Sequence, residues 1–383
     1  MKPNNGLMKL SRQSSSLFII NFAYISSIIY VPIIIANNAV TNKILPFASL
    51  CCLLIVSGNE IKSTHLMKFP VVFLLALSSI LSVGGYISLA YTLVFISLIA
   101  FVFPYYTLLS LYGEGFLNRH LKFIITVSVI SVIMGWIEFL YPSVIGEVFF
   151  LRGSIYLHKG QVSSLFSNPN VFGLMMAFSF QIAMLLYKNI LAVIIFFAIF
   201  VSGTLLSESR MAISIICIML FLKIIPINKI SQKLTVLIIT LLALFMSFNF
   251  NLVFDLINLN LRDEIWQGAI GAFYSHPLFG IGLGQFQEDI SIYASGYSEQ
   301  SANNLFIGLL SELGIIGFLL FNYFWLKPIL SHKKQENKHL WYQSSTILLF
   351  LIVSQFSEYM LLYVGPYVLL IVLFIAVVRW SSK

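Results

Sequence analysis

Apolar runs of membrane-crossing length recur along this chain, parted by short polar intervals and by one long one. The first run, 17–36, is too long for a signal-peptide core and predicts a retained first helix. Further spans are predicted near 44–57, 69–83, 87–111, 122–141, 170–187, 190–206, 210–225, 234–250, 304–325, 344–361 and 364–380, about twelve in all. In lipid such runs must be helical, because an open strand would leave its backbone polar groups unsatisfied. Some are shorter than a comfortable crossing, and 69–83, with Gly84 and Gly85 after it, also suits a re-entrant segment. The expected fold class is therefore an all-α integral membrane protein, one polytopic domain over 1–383 without internal repeats. The long polar interval, 251–303, is expected to be a large outer (periplasmic) loop and 142–169 a second outer loop.

Composition agrees with this pattern: 59% hydrophobic and 9% charged residues exclude a soluble domain. A net charge of +8 would suit nucleic acid in another setting; here it fits cytoplasmic loops facing anionic lipid, and no nucleic-acid partner is expected. All 22 lysines and arginines except Lys43, Arg152, Lys159, Arg210 and Arg262 fall on one side of the predicted topology. That side is expected to be cytoplasmic, with both termini in it. The 251–303 loop carries Asp255, Asp263, Glu264, Glu288, Asp289 and Glu299 against the single base Arg262. Cys51, Cys52 and Cys217 lie in apolar runs and read as small hydrophobes, neither a disulfide frame nor metal ligands.

Five ionisable residues fall in the outer half of the predicted spans: Glu138, Glu208, Arg210, Glu312 and Glu358. Charge at that depth is costly and marks a cavity or a pathway unless it snorkels to the interface. Glu138 and Glu358 are read as snorkelling, Arg210 and Glu312 as functional. Asn304, Gly308, Ser311 and Glu312 recur at helical spacing as one polar stripe, and Ser207, Arg210 and Ser214 form a shorter one. Helix packing accounts for small and hydroxyl residues in such stripes but not for an arginine. Arg152, Arg210 and Arg262 make a set of outer guanidiniums suited to bidentate binding of a diphosphate, with interfacial anchoring as the alternative for each. Gly280, Gly282 and Gly284 lack the βαβ setting of a dinucleotide fingerprint; they are expected to allow a sharp turn or a close approach to a neighbour or ligand. His276, before Pro277, reads as a solvated turn residue at a helix end rather than a general base. Asn168 and Pro169 mark a helix start, with Pro169 at the first helical position.

Four of these stretches carry a family resemblance. Phe166-Ser167-Asn168-Pro169-Asn170-Val171-Phe172-Gly173 resembles the motif that opens a middle helix in the bacterial O-antigen polymerase and ligase family. Ser207-Glu208-Ser209-Arg210 is similar to that family's Ser-Arg signature. Arg262 with Trp266, then Pro277-Leu278-Phe279-Gly280-Ile281-Gly282, resembles its large-loop motif, and Asn303-Asn304 with Gly314 and Gly317 resembles the motif that closes that loop. The matches run in order over about 165–320.

The resemblance implies a multi-span glycosyltransferase using undecaprenyl-diphosphate-linked sugars on the outer face of the bacterial cytoplasmic (inner) membrane. It implies that Arg210 and Arg262 bind the diphosphate, and Arg152 is added to them. Where family ligases carry a histidine this chain has Asn303, so the expectation is a polymerase of O-antigen or related repeat units rather than a ligase. Glu312, Glu208 and Asn303 are the candidate catalytic residues; Asn304, Asn170 and Trp266 are the candidate substrate-binding ones. No metal or cofactor is expected. The expected partners are lipid-linked glycans, membrane lipids, and the chain-length regulator and flippase of the same pathway. A flippase or transporter is the competing class. It would place polar residues near the midplane on broken helices in paired halves, whereas here they crowd one face.

Overall fold

The longest apolar helix, Val102–Leu140 (α2), would reach about 58 Å if straight, nearly twice the hydrocarbon thickness. It is not straight. Gly113 has φ 65° and ψ −157°, a conformation almost confined to glycine, and α2 breaks there into two arms. The Tyr105 ring lies 6.1 Å from Phe116 and 5.7 Å from His120, so the arms fold against each other. The break falls between the expected spans 87–111 and 122–141.

This computed structural model describes residues 5–28, 101–142, 160–166, 169–209, 211–217, 262–293, 302, 304–330, 338–354 and 366–381. The expected spans near 44–57, 69–83 and 234–250, with Cys51 and Cys52, lie outside the described residues; Cys217 is a free, exposed thiol. The described residues form helices joined by turns, with no strand among them. Besides α2 these are Asn5–Ile28 (α1), Pro169–Leu186 (α3), Ile190–Leu206 (α4), Arg262–Ser275 (α5), Gln285–Glu288 (α6), Ile290–Tyr293 (α7), Leu305–Leu330 (α8), Lys338–Val353 (α9) and Pro366–Ser381 (α10). Among them α2, α3 and α8 are long and apolar enough to cross a membrane. α3 and α4 start and stop within a residue of the expected 170–187 and 190–206. α1 begins well ahead of its apolar run and takes in Lys9 and Arg12.

α3 is buried on nearly every side, as a helix at the centre of a bundle must be. Small residues admit its neighbours. A Cβ at Gly135 of α2 would come within 3.1 Å of the Phe172 ring, and one at Gly203 of α4 would come within 2.8 Å of Met176. Ser179 of α3 donates to Ser128 of α2 at 2.7 Å, a polar link between the two helices. Towards the far end of the bundle, Arg379 of α10 donates to the Phe324 carbonyl of α8 at 3.2 Å and lies over its ring. A second, smaller core forms in the long loop: Ile265, Ala269 and Ala272 of α5 pack with Ile281, Phe286, Ile290 and Ala302.

Candidate functional site

At one end of the bundle the C-terminal ends of α2 and α4 meet the N-terminal end of α3. Along α2, Ser128, Ser131, Gly135 and Glu138 recur at helical spacing and line one buried face. Residues 160–166 cross this face as a strap. Val162 N–H donates to the Leu206 carbonyl at 3.1 Å, Ser164 N–H to the Glu138 carboxylate at 2.7 Å, and the Ser164 hydroxyl to the Ser131 carbonyl at 2.5 Å. Glu138 is only 2% exposed, which overturns its reading as a snorkelling side chain. Its carboxylate faces protein groups, the Ser164 N–H among them. The Ser163 hydroxyl is fully buried and has no hydrogen-bond partner among the described residues.

Gly173, one turn into α3, brings two of the sequence motifs together. A Cβ there would lie 2.3 Å from the Ser207 hydroxyl and 2.7 Å from the Ser209 Cβ, so only glycine lets the 207–209 turn seat on α3. Asn170 lies three residues earlier on the same face and is half-buried. Pro169 opens α3 at the first helical position as expected, while Ser167 and Asn168 lie outside the described residues. Ser207 ends α4. Glu208 follows with φ 51°, its N–H bonded to the Leu205 carbonyl and its side chain exposed. Ser209 then starts a further helix, described over 211–217, its hydroxyl receiving Ala212 N–H at 3.5 Å. The proposed stripe of Ser207, Arg210 and Ser214 is therefore not one helix face, because the chain changes helix between its first and last members; Ser214 is exposed.

The second group of motif residues gathers on α5 and α8. Arg262 is the first residue of α5, and Trp266, one turn later, donates its indole N–H to the Ala302 carbonyl at 2.8 Å. Asn304 is buried and caps α8: its side-chain oxygen receives Phe306 N–H at 2.9 Å and Ile307 N–H at 3.2 Å. His276 sits just past the end of α5 beside Ser275, half-buried, in the turn position expected of it. Gly308, Ser311 and Glu312 of the predicted stripe are all buried, Glu312 at 1% exposure.

α8 breaks just beyond Glu312. Gly314 has φ 64° and ψ −172°. A continuous helix would bond Ile315 N–H to the Ser311 carbonyl and Ile316 N–H to the Glu312 carbonyl. The loop segment 277–282 supplies partners to all four groups. Ile281 N–H donates to Ser311 at 3.0 Å and Gly282 N–H to Glu312 at 2.9 Å, while Ile315 N–H donates to Pro277 at 2.9 Å and Ile316 N–H to Leu278 at 3.3 Å. Backbones this close leave no room for side chains. A Cβ at Gly280 would lie 2.3 Å from the Glu312 carbonyl carbon, and one at Gly314 would lie 2.4 Å from the Leu278 carbonyl. The close approach expected of the glycine run is thus an approach to α8 itself. Leu283, Leu305, Leu309 and Leu313 beside this lock share one apolar core with Phe166, Phe172 and Leu206 beside the first group.

Arg152, Arg210 and Asn303 lie outside the described residues, as do Glu358 and the side chain of Arg262. Among the described residues no three of His, Cys, Asp and Glu gather as metal ligands would. Ser163 and Ser164 escaped the sequence reading, and Glu138 was read there as facing the interface; the spacing of Ser128, Ser131, Gly135 and Glu138 was the available signal.

These features define a helical membrane protein with buried carboxylates, caps and hydroxyls at its motif-bearing segments and a loop locked into a broken helix. Residues 171–322 match the family model described as O-antigen ligase. The match supports the resemblance to the O-antigen polymerase and ligase family, whose members are enzymes acting on lipid-linked glycans. No curated protein matches the chain.

Proposed function

We propose that the chain is a polymerase of undecaprenyl-diphosphate-linked oligosaccharide repeat units, working on the outer face of the bacterial inner membrane. In this reading it crosses the membrane about twelve times with both termini in the cytoplasm, as the basic residues direct. One lipid-linked glycan lies with its diphosphate against Arg210 and Arg262, joined by Arg152. A sugar hydroxyl of a second repeat unit attacks the anomeric carbon, the bond from that carbon to the diphosphate oxygen breaks, and undecaprenyl diphosphate leaves. Guanidiniums already in place stabilise the charge that develops on the leaving group. Glu312 or Glu208 receives the hydroxyl proton. Asn304, Asn170 and Trp266 line the glycan path.

The observation that carries the reading is the locked break in α8, which pins Glu312, the 277–282 segment and the Trp266–Ala302 contact into one unit. Transporters leave such breaks open so that unwound carbonyls can coordinate ions. Here the Ser311 and Glu312 carbonyls accept main-chain N–H groups from the loop. That favours an enzyme over a flippase. The ligase reading has the matched family's description in its favour. Asn303 weighs against it, because an amide takes up no proton near neutral pH as a histidine does.

Deleting the gene separates the readings. A polymerase deletion leaves surface glycan of a single repeat unit; a ligase deletion leaves long chains on the lipid carrier and none attached. Unchanged glycan length would sink both. In a purified assay, Arg210→Ala and Arg262→Ala should each abolish extension while the protein accumulates, and lysine should rescue poorly because an ammonium lacks the planar fork.

A further inference from the structure

Glu138 closes the buried stripe of α2, and its carboxylate receives the Ser164 N–H at 2.7 Å. Ser164 has φ 51°, a left-handed conformation that a non-glycine residue disfavours. Its hydroxyl is tied to the Ser131 carbonyl, on the same face of α2. Two groups of α2 thus hold one strap residue in a shape it would not choose alone. The strap runs from there to α4 through the Val162–Leu206 bond, immediately before the 207–209 turn. A carboxyl group at 2% exposure is a costly way to fill space, and what it adds over an apolar side chain is an acceptor for the Ser164 N–H.

We infer that Glu138 is a positioning residue for the proposed glycosyl transfer: it clamps Ser164 in the left-handed conformation and so fixes the 160–166 strap against the turn that leads to Arg210. The kinetic part of this inference rests on the proposed reaction, whereas the clamp itself does not. Three purified variants test it: E138Q, E138A, and E138A combined with S164G. Glutamine keeps an acceptor oxygen, so E138Q should retain slow hydrogen exchange at the Ser164 amide and a kcat within about tenfold of the parent. E138A should show fast exchange there and a kcat lower by about 100-fold, with KM much less changed, because the displaced turn misplaces a neighbour of the reacting groups. Glycine adopts the left-handed conformation freely, so adding S164G to E138A should recover about tenfold in kcat.

If E138Q is as impaired as E138A, or E138A keeps the Ser164 amide protected, or S164G gives no recovery, the positioning role is overturned. Should E138A fail to accumulate, E138Q decides alone: a protected amide with near-parental kcat supports the clamp, and loss of either overturns it. If the unmodified protein extends no lipid-linked glycan, the proposed function falls, and the exchange comparison still judges the clamp.

Discussion

Gly280→Ala puts the lock between the long loop and α8 under direct test. A Cβ at 280 would lie 2.3 Å and 2.4 Å from the Glu312 carbonyl carbon and oxygen and 2.5 Å from Leu313 N, at φ +72°. All three are main-chain atoms with no side-chain freedom to yield. The left-handed conformation alone costs a non-glycine residue about 1–2 kcal/mol. Relief requires the 277–282 segment to separate from α8, which breaks the four main-chain bonds between them. α8 can regain two of these internally once Gly314 returns to helical angles, so the net loss is two bonds, about 1–3 kcal/mol. That is less than the overlap and strain relieved, and far below the roughly 5–15 kcal/mol that stabilises a folded protein. The variant should therefore accumulate with its lock open. Hydrogen exchange reads this as an asymmetry. The Ile281 and Gly282 amides become fast, while Ile315 and Ile316, re-bonded within the helix, stay slow. Glycan extension should fall by about tenfold or more as Glu312 loses its fixed place. Gly271→Ala is the control, since nothing lies within 4 Å of its added Cβ; it should leave both readouts unchanged. Parental protection of Ile281 and Gly282 in the Gly280→Ala protein would refute the reasoning.

Gly173→Ala should displace the 207–209 turn, since its Cβ would meet Ser207 Oγ at 2.3 Å, and lower extension by about tenfold in the purified assay. Trp266→Phe keeps the ring but orphans the buried Ala302 carbonyl, so thermal unfolding in detergent should reveal a loss of about 1–3 kcal/mol. Asn304→Ala should cost about 1 kcal/mol through the lost α8 cap, and Asn304→Asp should restore the stability; an Asp variant that is stable yet inactive would give Asn304 a role in binding as well. Cysteines at Ser291 and Ser298 should react with an impermeant thiol reagent in intact spheroplasts, and labelling only after lysis would invert the proposed topology.

Much of the helical frame was legible in the sequence because hydropathy and helix punctuation act locally. Pro169 opens α3 where its missing N–H costs nothing, and the apolar runs of α3 and α4 end where the helices end. The glycine run 280–284 could be read as a close approach, since only a residue without a Cβ admits one. What it approaches could not be read. The partner is the backbone of residues 311–316, and main-chain hydrogen bonds leave no side-chain signature in either segment. Gly314 stood out in the sequence as part of the motif that closes the loop, but its helix break became legible only with the inserted loop that supplies the bonds the break removes. Glu138 shows the same limit from the other direction. Its depth in a span predicts the cost of its charge, but whether the side chain turns to the interface or to the protein depends on what packs beside α2. That was decided by the strap from 160 to 166, whose Ser164 N–H needs an acceptor. Local pattern determines where helices form; which buried polar groups meet depends on segments far apart in the chain, and only their packing brings them within bonding distance.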